Sequence, residues 1–175
     1  TDLDPPASVT ATTVLPLCSN LPPDSQSLWD LLVIGGGAAG FMAAITAAEQ
    51  GVKRILVLEA TPDPLSKVRL SGGGRCNVTH ACWDPSELVG HYPRGQRPLR
   101  GPFSRFAAGD AIAWFADHGL NLVAEDDGRM FPEANRSSAV VNCLRSAARA
   151  GGVVLQTGVL VQRLNPLDGG GYAAQ

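Results

Sequence analysis

No lysine or arginine occurs in the first 28 residues, which hold five prolines and three aspartates among many serines and threonines. That absence removes the basic region of a secretory signal and the arginines of an organellar transit peptide. Residues 1–28 are expected to form a disordered extension, with a remnant of a processed leader as the alternative. Charge is scarce in the whole chain: 17% of residues are charged, the formal net charge is -2 and the isoelectric point is near 5.8. Neither nucleic acid nor an anionic membrane is expected as a partner on that balance, which favours a small molecule. The four cysteines, Cys18, Cys76, Cys82 and Cys143, form no CxxC pair and match no zinc spacing. Reduced thiols in a cytoplasmic protein, without a metal site, are the expectation. His80, His91 and His118 show no spacing of a catalytic dyad, so no catalytic residue is assigned, and no internal repeat is present.

A membrane span is missing as well. Leu31–Ala48 is 18 residues without a charge, but a helix through it would carry Gly35, Gly36, Gly37 and Gly40 in its interior. Each costs roughly 1 kcal/mol relative to alanine. With 45% hydrophobic residues in 175, the chain can bury one sizeable core.

What is present at Trp29–Glu59 is ordered punctuation. A short apolar run, Trp29–Ile34, ends in glycine; a segment with helical period, Ala38–Gln50, stops at Gly51; a buried strand, Arg54–Leu58, ends at Glu59. Strand, glycine turn, helix and strand make a βαβ unit with parallel strands. Within it Gly35 permits the tight turn, Gly37 lets backbone approach a phosphate, and Gly40 lets the helix pack against the strand. The helix N-terminus offers unpaired N–H groups and the positive dipole end to a diphosphate. Ala44 is small enough to lie on the sheet. Glu59, 19 residues after Gly40, sits where a carboxylate accepts the hydroxyls of an adenosine ribose. A 2′-phosphate there would be repelled, which disfavours NADP at this site and leaves FAD and NAD open.

Farther along, periodicity weakens between Thr61 and Gly109, where a long irregular region is expected. It contains Arg94, Arg97, Arg100 and Arg105 interleaved with prolines, either a solvated loop or an anion or substrate contact. Asp110 is placed to cap a helix running to His118, with Trp114 and Phe115 on its core face and Gly119 as its stop. Another helix is expected at about Ser138–Ala150, then strands in "VVLQT" and "VLVQRL" around Gly158. The chain opens on Thr1, and its last ten residues, "PLDGGGYAAQ", contain no expected element. A fragment open at both ends fits that reading.

The second glycine cluster lies in "KVRLSGGGRCNVTH", Lys67–His80. Its exposed N–H groups, with Arg75 and Asn77, suit an anionic or polar face of a cofactor, although a flexible turn has the same composition. Cys76 beside Arg75 could be a thiolate of lowered pKa, but with no partner cysteine two or three residues away a structural thiol is favoured. Arg129 in "DGRMFP" could orient a substrate carboxylate or pair with Glu125 or Asp127.

Three segments together, "VIGGGAAGFMAAITAAEQG", "KVRLSGGGRCNVT" and "EDDGRMFPEANRSSAVVNCL", resemble the FAD-dependent oxidoreductases of the BaiN-like group, also called YhiN-like or aminoacetone-oxidase-like flavoproteins. The resemblance runs from Leu31 to about Leu164. It departs at His80, where the group commonly has Asn, and in the N-terminal extension. It implies an α/β fold: a Rossmann-like, three-layer FAD/NAD(P)-binding fold of the glutathione-reductase type, truncated before most of an inserted substrate domain. The implied division is an extension at residues 1–28, an FAD-binding domain at 29–165, and the start of the insert at 166–175. The segment expected to cover the flavin ring would then be lacking, and FAD affinity weak. By the same resemblance Gly35, Gly37, Ala38, Ala39 and Gly40 would hold the pyrophosphate and Glu59 the ribose. Lys67 and the loop residues Ser71, Gly73, Gly74, Arg75, Cys76 and Asn77 would line the flavin side, and the backbone of Val161 would meet adenine. FAD is the implied cofactor and NAD(P)H a potential electron donor. An NAD-binding dehydrogenase and a truncated, non-catalytic FAD-binding module are the alternative readings.

Overall fold

The computed structural model describes residues 28–175. The extension expected at residues 1–28 lies outside the described residues except for Leu28, and so does Cys18. The first sheet is parallel, in the order β1 (Leu31–Ile34), β2 (Ile55–Glu59), β6 (Val154–Thr157). β1 leads through a glycine turn into α1 (Ala38–Glu49), which ends where Gly51 takes φ +93° and donates its N–H to Ala48. β2 is buried along its apolar length, with side chains alternating between faces. Ile55 and Val57 pack with the fully buried Ala44 of α1, so the small residue does let helix and sheet close together.

The larger core joins α1 through Phe41 and Ile45 to α2 (Ser66–Leu70) and to α6 (Ser137–Ala150). α6 begins one residue before its expected start and buries Val140, Val141, Leu144 and Ala147. At roughly 1.5–3 kcal/mol for each large apolar side chain removed from water, this face outweighs the absence of a side-chain cap at its N-terminus.

The region from Thr61 to Gly109 is more ordered than expected. It contains α2, a glycine turn at Ser71–Gly74, β3 (Thr79–His80), α3 (Pro85–Gly90) and α4 (Gln96–Phe103), and it runs into α5 (Ala108–Asp117). Two of the prolines mislead because they serve at helix starts, although Pro102 lies inside α4. Pro85 follows Asp84, whose carboxylate accepts the Ser86 N–H at 2.7 Å, and Pro98 falls in the first turn of α4. Asp110 is not the cap of α5. The helix starts at Ala108, and Asp110, in its first turn, accepts the N–H of Ala107 at 2.7 Å.

A second sheet is antiparallel, in the order β3, β5 (Arg129–Pro132), β4 (Leu122–Ala124). The strands expected around Gly158 are met only in part. β6 forms, but the chain then turns at Gly158, φ +73°, and only Leu164–Pro166 (β7) is again a strand. β7 pairs with β8 (Tyr172–Ala174) in a hairpin, so the last ten residues do hold an element. No described helix is long and apolar enough to cross a membrane.

Candidate functional site

The turn between β1 and α1 is built by glycines with separate duties. Gly35 has φ +104°, and its N–H is held by the Leu58 carbonyl at 2.7 Å. A Cβ on Gly40 would overlap the Gly35 carbonyl oxygen and crowd Val33 at 3.2 Å, so this glycine sets how closely helix meets strand. Gly37 differs from both. Its φ is -84°, which any residue adopts, and a Cβ on it would find nothing within 4 Å. It faces open space at the N-terminus of a twelve-residue helix that has no side-chain cap. The N–H groups of Ala38, Ala39 and Gly40 belong to the first turn, which has no intrahelical acceptors. The site thus presents amide donors, the positive end of a dipole and room for an anion.

Glu59 closes one side of this turn. Its Oε2 accepts the Gly36 N–H at 2.7 Å, and its Oε1 accepts the Thr61 N–H at 2.8 Å and the Thr61 hydroxyl at 2.7 Å. These bonds, those from Thr61 foremost, hold its carboxyl below the usual glutamate range. Of about four lone-pair positions on a carboxylate, three are taken, so about one stays open for a sugar hydroxyl. A Cβ on Gly36 would stand 2.9 Å from the Glu59 Cβ, which explains the middle glycine of the run.

The second glycine cluster forms a turn in which Gly72, Gly73 and Gly74 have φ of +56°, +67° and +85°. Cys76 also adopts a positive φ, +65°. Space around Gly73 and Gly74 is open, whereas a Cβ on Gly72 would press on the Asn77 backbone nitrogen and the Phe131 ring. Arg75 points its guanidinium away from this open side. It pairs with Glu125 and lies 4.0 Å from the centre of the Phe131 ring. The Asn77 amide, oriented to satisfy its neighbours, donates to Thr79 and Met130 carbonyls at 2.9 and 3.3 Å. The two segments quoted separately above, SGGGRCN and GRMFP, are therefore one structural unit. A contact between residues 50 apart leaves no signal in local sequence.

Arg129 joins the same unit as an ion pair, with Asp127 at 2.7 Å and Glu125 at 3.3 Å, both partners partly exposed. Burial pushes the Cys76 thiol up from its ordinary value, which disfavours the thiolate and agrees with a structural role.

Between the two glycine turns lies a cavity of about 420 Å³. Ala38 from the first turn lines it, as do Lys67, Ser71, Cys76 and Asn77 from the second unit. Met42, Val68 and Leu144 add apolar walls, with Trp114 and Phe115 from α5. Phe115 is core, as expected, but Trp114 is only partly buried, lines the cavity, and has an Nε1 with no hydrogen-bond partner among the described residues. A ligand-facing role for Trp114 is the alternative to the core role favoured from composition, since an aromatic on a helix face suits either.

Val161 is not in a strand. After Gly158 the Val159 N–H donates to the Glu59 carbonyl at 2.9 Å, and the N–H groups of Gln162 and Arg163 go to Gln175, so this segment leaves the sheet. Val161 is half-buried there. Arg94, Arg97, Arg100 and Arg105 are exposed on and around α4, on no wall of the cavity near the turns.

This geometry can be set beside known proteins. A 3-dehydro-bile acid delta(4,6)-reductase of Clostridium scindens is 32% identical over 133 residues, 75% of this chain and 32% of that protein. A ribosomal RNA dihydrouridine synthase of Escherichia coli is 27% identical over 128 residues, 73% and 31% respectively. The chain thus spans about a third of the length of these curated relatives. Among solved structures, a 3-ketosteroid-delta4-(5alpha)-dehydrogenase of Rhodococcus jostii superposes with a TM-score of 0.60 at 20% identity, covering 87% of this chain and 44% of that one. A flavocytochrome c3 fumarate reductase does so with 0.59 at 22% identity, covering 79% and 28%. These likenesses identify the Rossmann-type fold of FAD-binding proteins. The HI0933-like protein Rossmann domain matches residues 29–173, nearly all that the structure describes, and the chain belongs to that family.

Proposed function

We propose that this chain is the FAD-binding part of a flavin-dependent oxidoreductase, acting on a carbon–carbon double bond in a ring compound. The observation that carries the cofactor reading is Gly37: a glycine required by neither φ nor packing, at an uncapped helix N-terminus where an added Cβ would meet nothing within 4 Å. In this reading Ala38, Ala39 and Gly40 donate amide hydrogens to the diphosphate, and Glu59 gives its remaining lone pair to the ribose. Gly35 shapes the turn. The positive φ of Gly73 and Gly74 keeps the second turn open toward the flavin side, with Ser71, Lys67 and the Asn77 amide beside it. Met42, Val68 and Leu144 exclude water from the cavity. Arg75 acts at one remove, bracing the turn against Glu125 and Phe131, and Cys76 packs beneath it. Val161 contributes backbone only.

FAD, when bound, supplies hydride or single-electron transfer. The ring double bond is suggested by the names of the two curated relatives, a reductase of a bile acid and a synthase of dihydrouridine. NAD(P)H is the proposed electron source, and a reducing, cytoplasmic setting suits the free thiols of Cys76, Cys82 and Cys143. The proposed cofactor domain begins at residue 29. Its joint with an inserted domain is better set before Leu164 than at 165, because β7 and β8 form one hairpin.

The test is to purify the protein, record its visible spectrum after addition of FAD or NAD, and identify the retained dinucleotide by chromatography. A yellow protein retaining FAD is expected. A colourless protein that keeps NAD and ignores FAD would overturn the reading.

A further inference from the structure

The arginines that the cofactor reading leaves unused lie in one stretch. Residues 88–109 contain Arg94, Arg97, Arg100 and Arg105 and no lysine, aspartate or glutamate, so the net charge of -2 conceals a strongly basic segment. All four are exposed. None has a carboxylate within 4.0 Å among the described residues, whereas Arg54, Arg75 and Arg129 are each paired. Of the flanking acids, Asp84 and Asp110 are tied to helix starts by the N–H groups of Ser86 and Ala107, and Glu87 stands in the first turn of α3.

Helix geometry gathers the cations. At about 100° per residue, Arg97, Arg100 and Arg105 fall within an arc of about 140°, with Leu99 and Phe103 opposite. Arg105 keeps this phase because its N–H and that of Phe106 return to the Pro102 carbonyl at 3.0 and 2.9 Å. Only Gly101 and Ser104 share the arc, so it carries no apolar stripe of the kind that enters a bilayer. Arg100 also borders a notch of about 410 Å³ between α3 and α4, lined with Ser86 and Ser104 and by no carboxylate. A guanidinium beside a hydroxyl suits a phosphate. That all four cations are arginines strengthens this, since the planar fork meets phosphate oxygens in pairs. Exposed aromatic side chains flank the cations: Trp83 at 64%, Tyr92 at 41% and Phe106 at 45%. Rings spaced singly among cations offer platforms on which bases stack.

We propose that α4 and the residues on either side of it form a binding surface for single-stranded nucleic acid, with the four arginines on phosphates and the exposed rings beside bases. This surface goes beyond the flavin reading and does not depend on it.

The probes are a fluorescein-labelled oligouridylate of about twelve nucleotides and an abasic strand of the same length, followed by fluorescence anisotropy on the whole chain without flavin. Saturable binding of the oligouridylate is expected, with a dissociation constant of about 1–100 μM at physiological salt and a log–log salt slope of about -3, for about four phosphates neutralised. The abasic strand should bind about tenfold more weakly, having no bases to stack. Arg97→Gln/Arg100→Gln should flatten the slope by about 1.4 and weaken binding about tenfold, and Arg97→Lys/Arg100→Lys should restore the slope. If the glutamine pair does not fold, Arg94→Gln/Arg105→Gln, outside α4, should give the same change of slope. No saturation, a slope unchanged in the glutamine variants, an abasic strand bound as tightly as the oligouridylate, or capture by phosphatidylserine vesicles in place of the oligonucleotide would overturn the inference. Because flavin is absent, failure here leaves the FAD reading intact, and failure of FAD to bind leaves this surface intact.

Discussion

The two glycine turns of this protein solve different problems with the same residue. In the first, the glycines at 35, 36 and 40 are demanded by the protein itself: one by its φ, one by the Glu59 side chain, one by the carbonyl of Gly35. Only Gly37 is left without an internal reason. In the second, Gly73 and Gly74 touch nothing and are held to glycine by positive φ alone. The first turn is a packing device with one opening. The second is a shape whose open side no other part of the described protein fills. A glycine motif therefore signals a ligand only at the positions where packing and φ have been discounted.

Substitutions can break that contrast. The largest effect should come from Gly40→Val, whose side chain would enter the Gly35 carbonyl. A loss of about 3 kcal/mol in unfolding free energy is expected by denaturant titration, since overpacking at backbone cannot relax as a flexible side chain does. A loss below 1 kcal/mol would mean that helix and strand can separate without cost. Gly73→Ala should lose less, about 1 kcal/mol, because the penalty there is conformational and the methyl meets no atom. If it destabilised as much as Gly40→Val, the second turn would be packed and the contrast gone.

Acid should separate the two turns as well. Glu59 ties the first turn together with a carboxyl whose folded value lies below its ordinary one, of about 4.3. Its contribution is therefore complete above that ordinary value and is lost as pH falls through the folded one. Glu59→Gln should flatten the decline in stability below about pH 4.5, measured by thermal unfolding. An acid limb identical to that of the unaltered protein would remove Glu59 from this role. The smallest effect concerns Cys76, beneath the second turn. Burial raises its thiol value, so alkylation at pH 7.5 should be slow in the folded protein and fast in urea, read by mass spectrometry of the Cys76 peptide. Rapid labelling of the folded chain would show the turn opening.

The first turn was legible in sequence because all its parts are local. Strand, glycines, helix and Glu59 fall within 29 residues, and each carries its own signal. The second was legible only as a motif. Its brace, Arg75 on Glu125 and Phe131, depends on β3 and β5, strands of two and four residues that exist through pairing rather than propensity. α4 was hidden for another reason: its prolines look like breakers, and it buries little, resting on Leu99 and Phe103 with its arginines in solvent. Asp110 stands three residues past the actual cap, Ala107, because a carboxylate in the first turn and one at the cap give the same local composition. Val161 lies outside the strand expected for it because Gly158 turns the chain out of the sheet, which an apolar run does not reveal.

The central claim is that Gly37 is glycine for the sake of a ligand. It is tested most directly by titrating FAD into the unaltered chain and into Gly37→Val, following flavin fluorescence, with thermal unfolding of both recorded alongside. The account predicts equal melting within about 2 °C, as for a side chain that meets no atom. It also predicts saturable quenching in the unaltered protein that is lost in the variant. Equal quenching curves for the two proteins, or no saturable quenching by the unaltered chain, would contradict it.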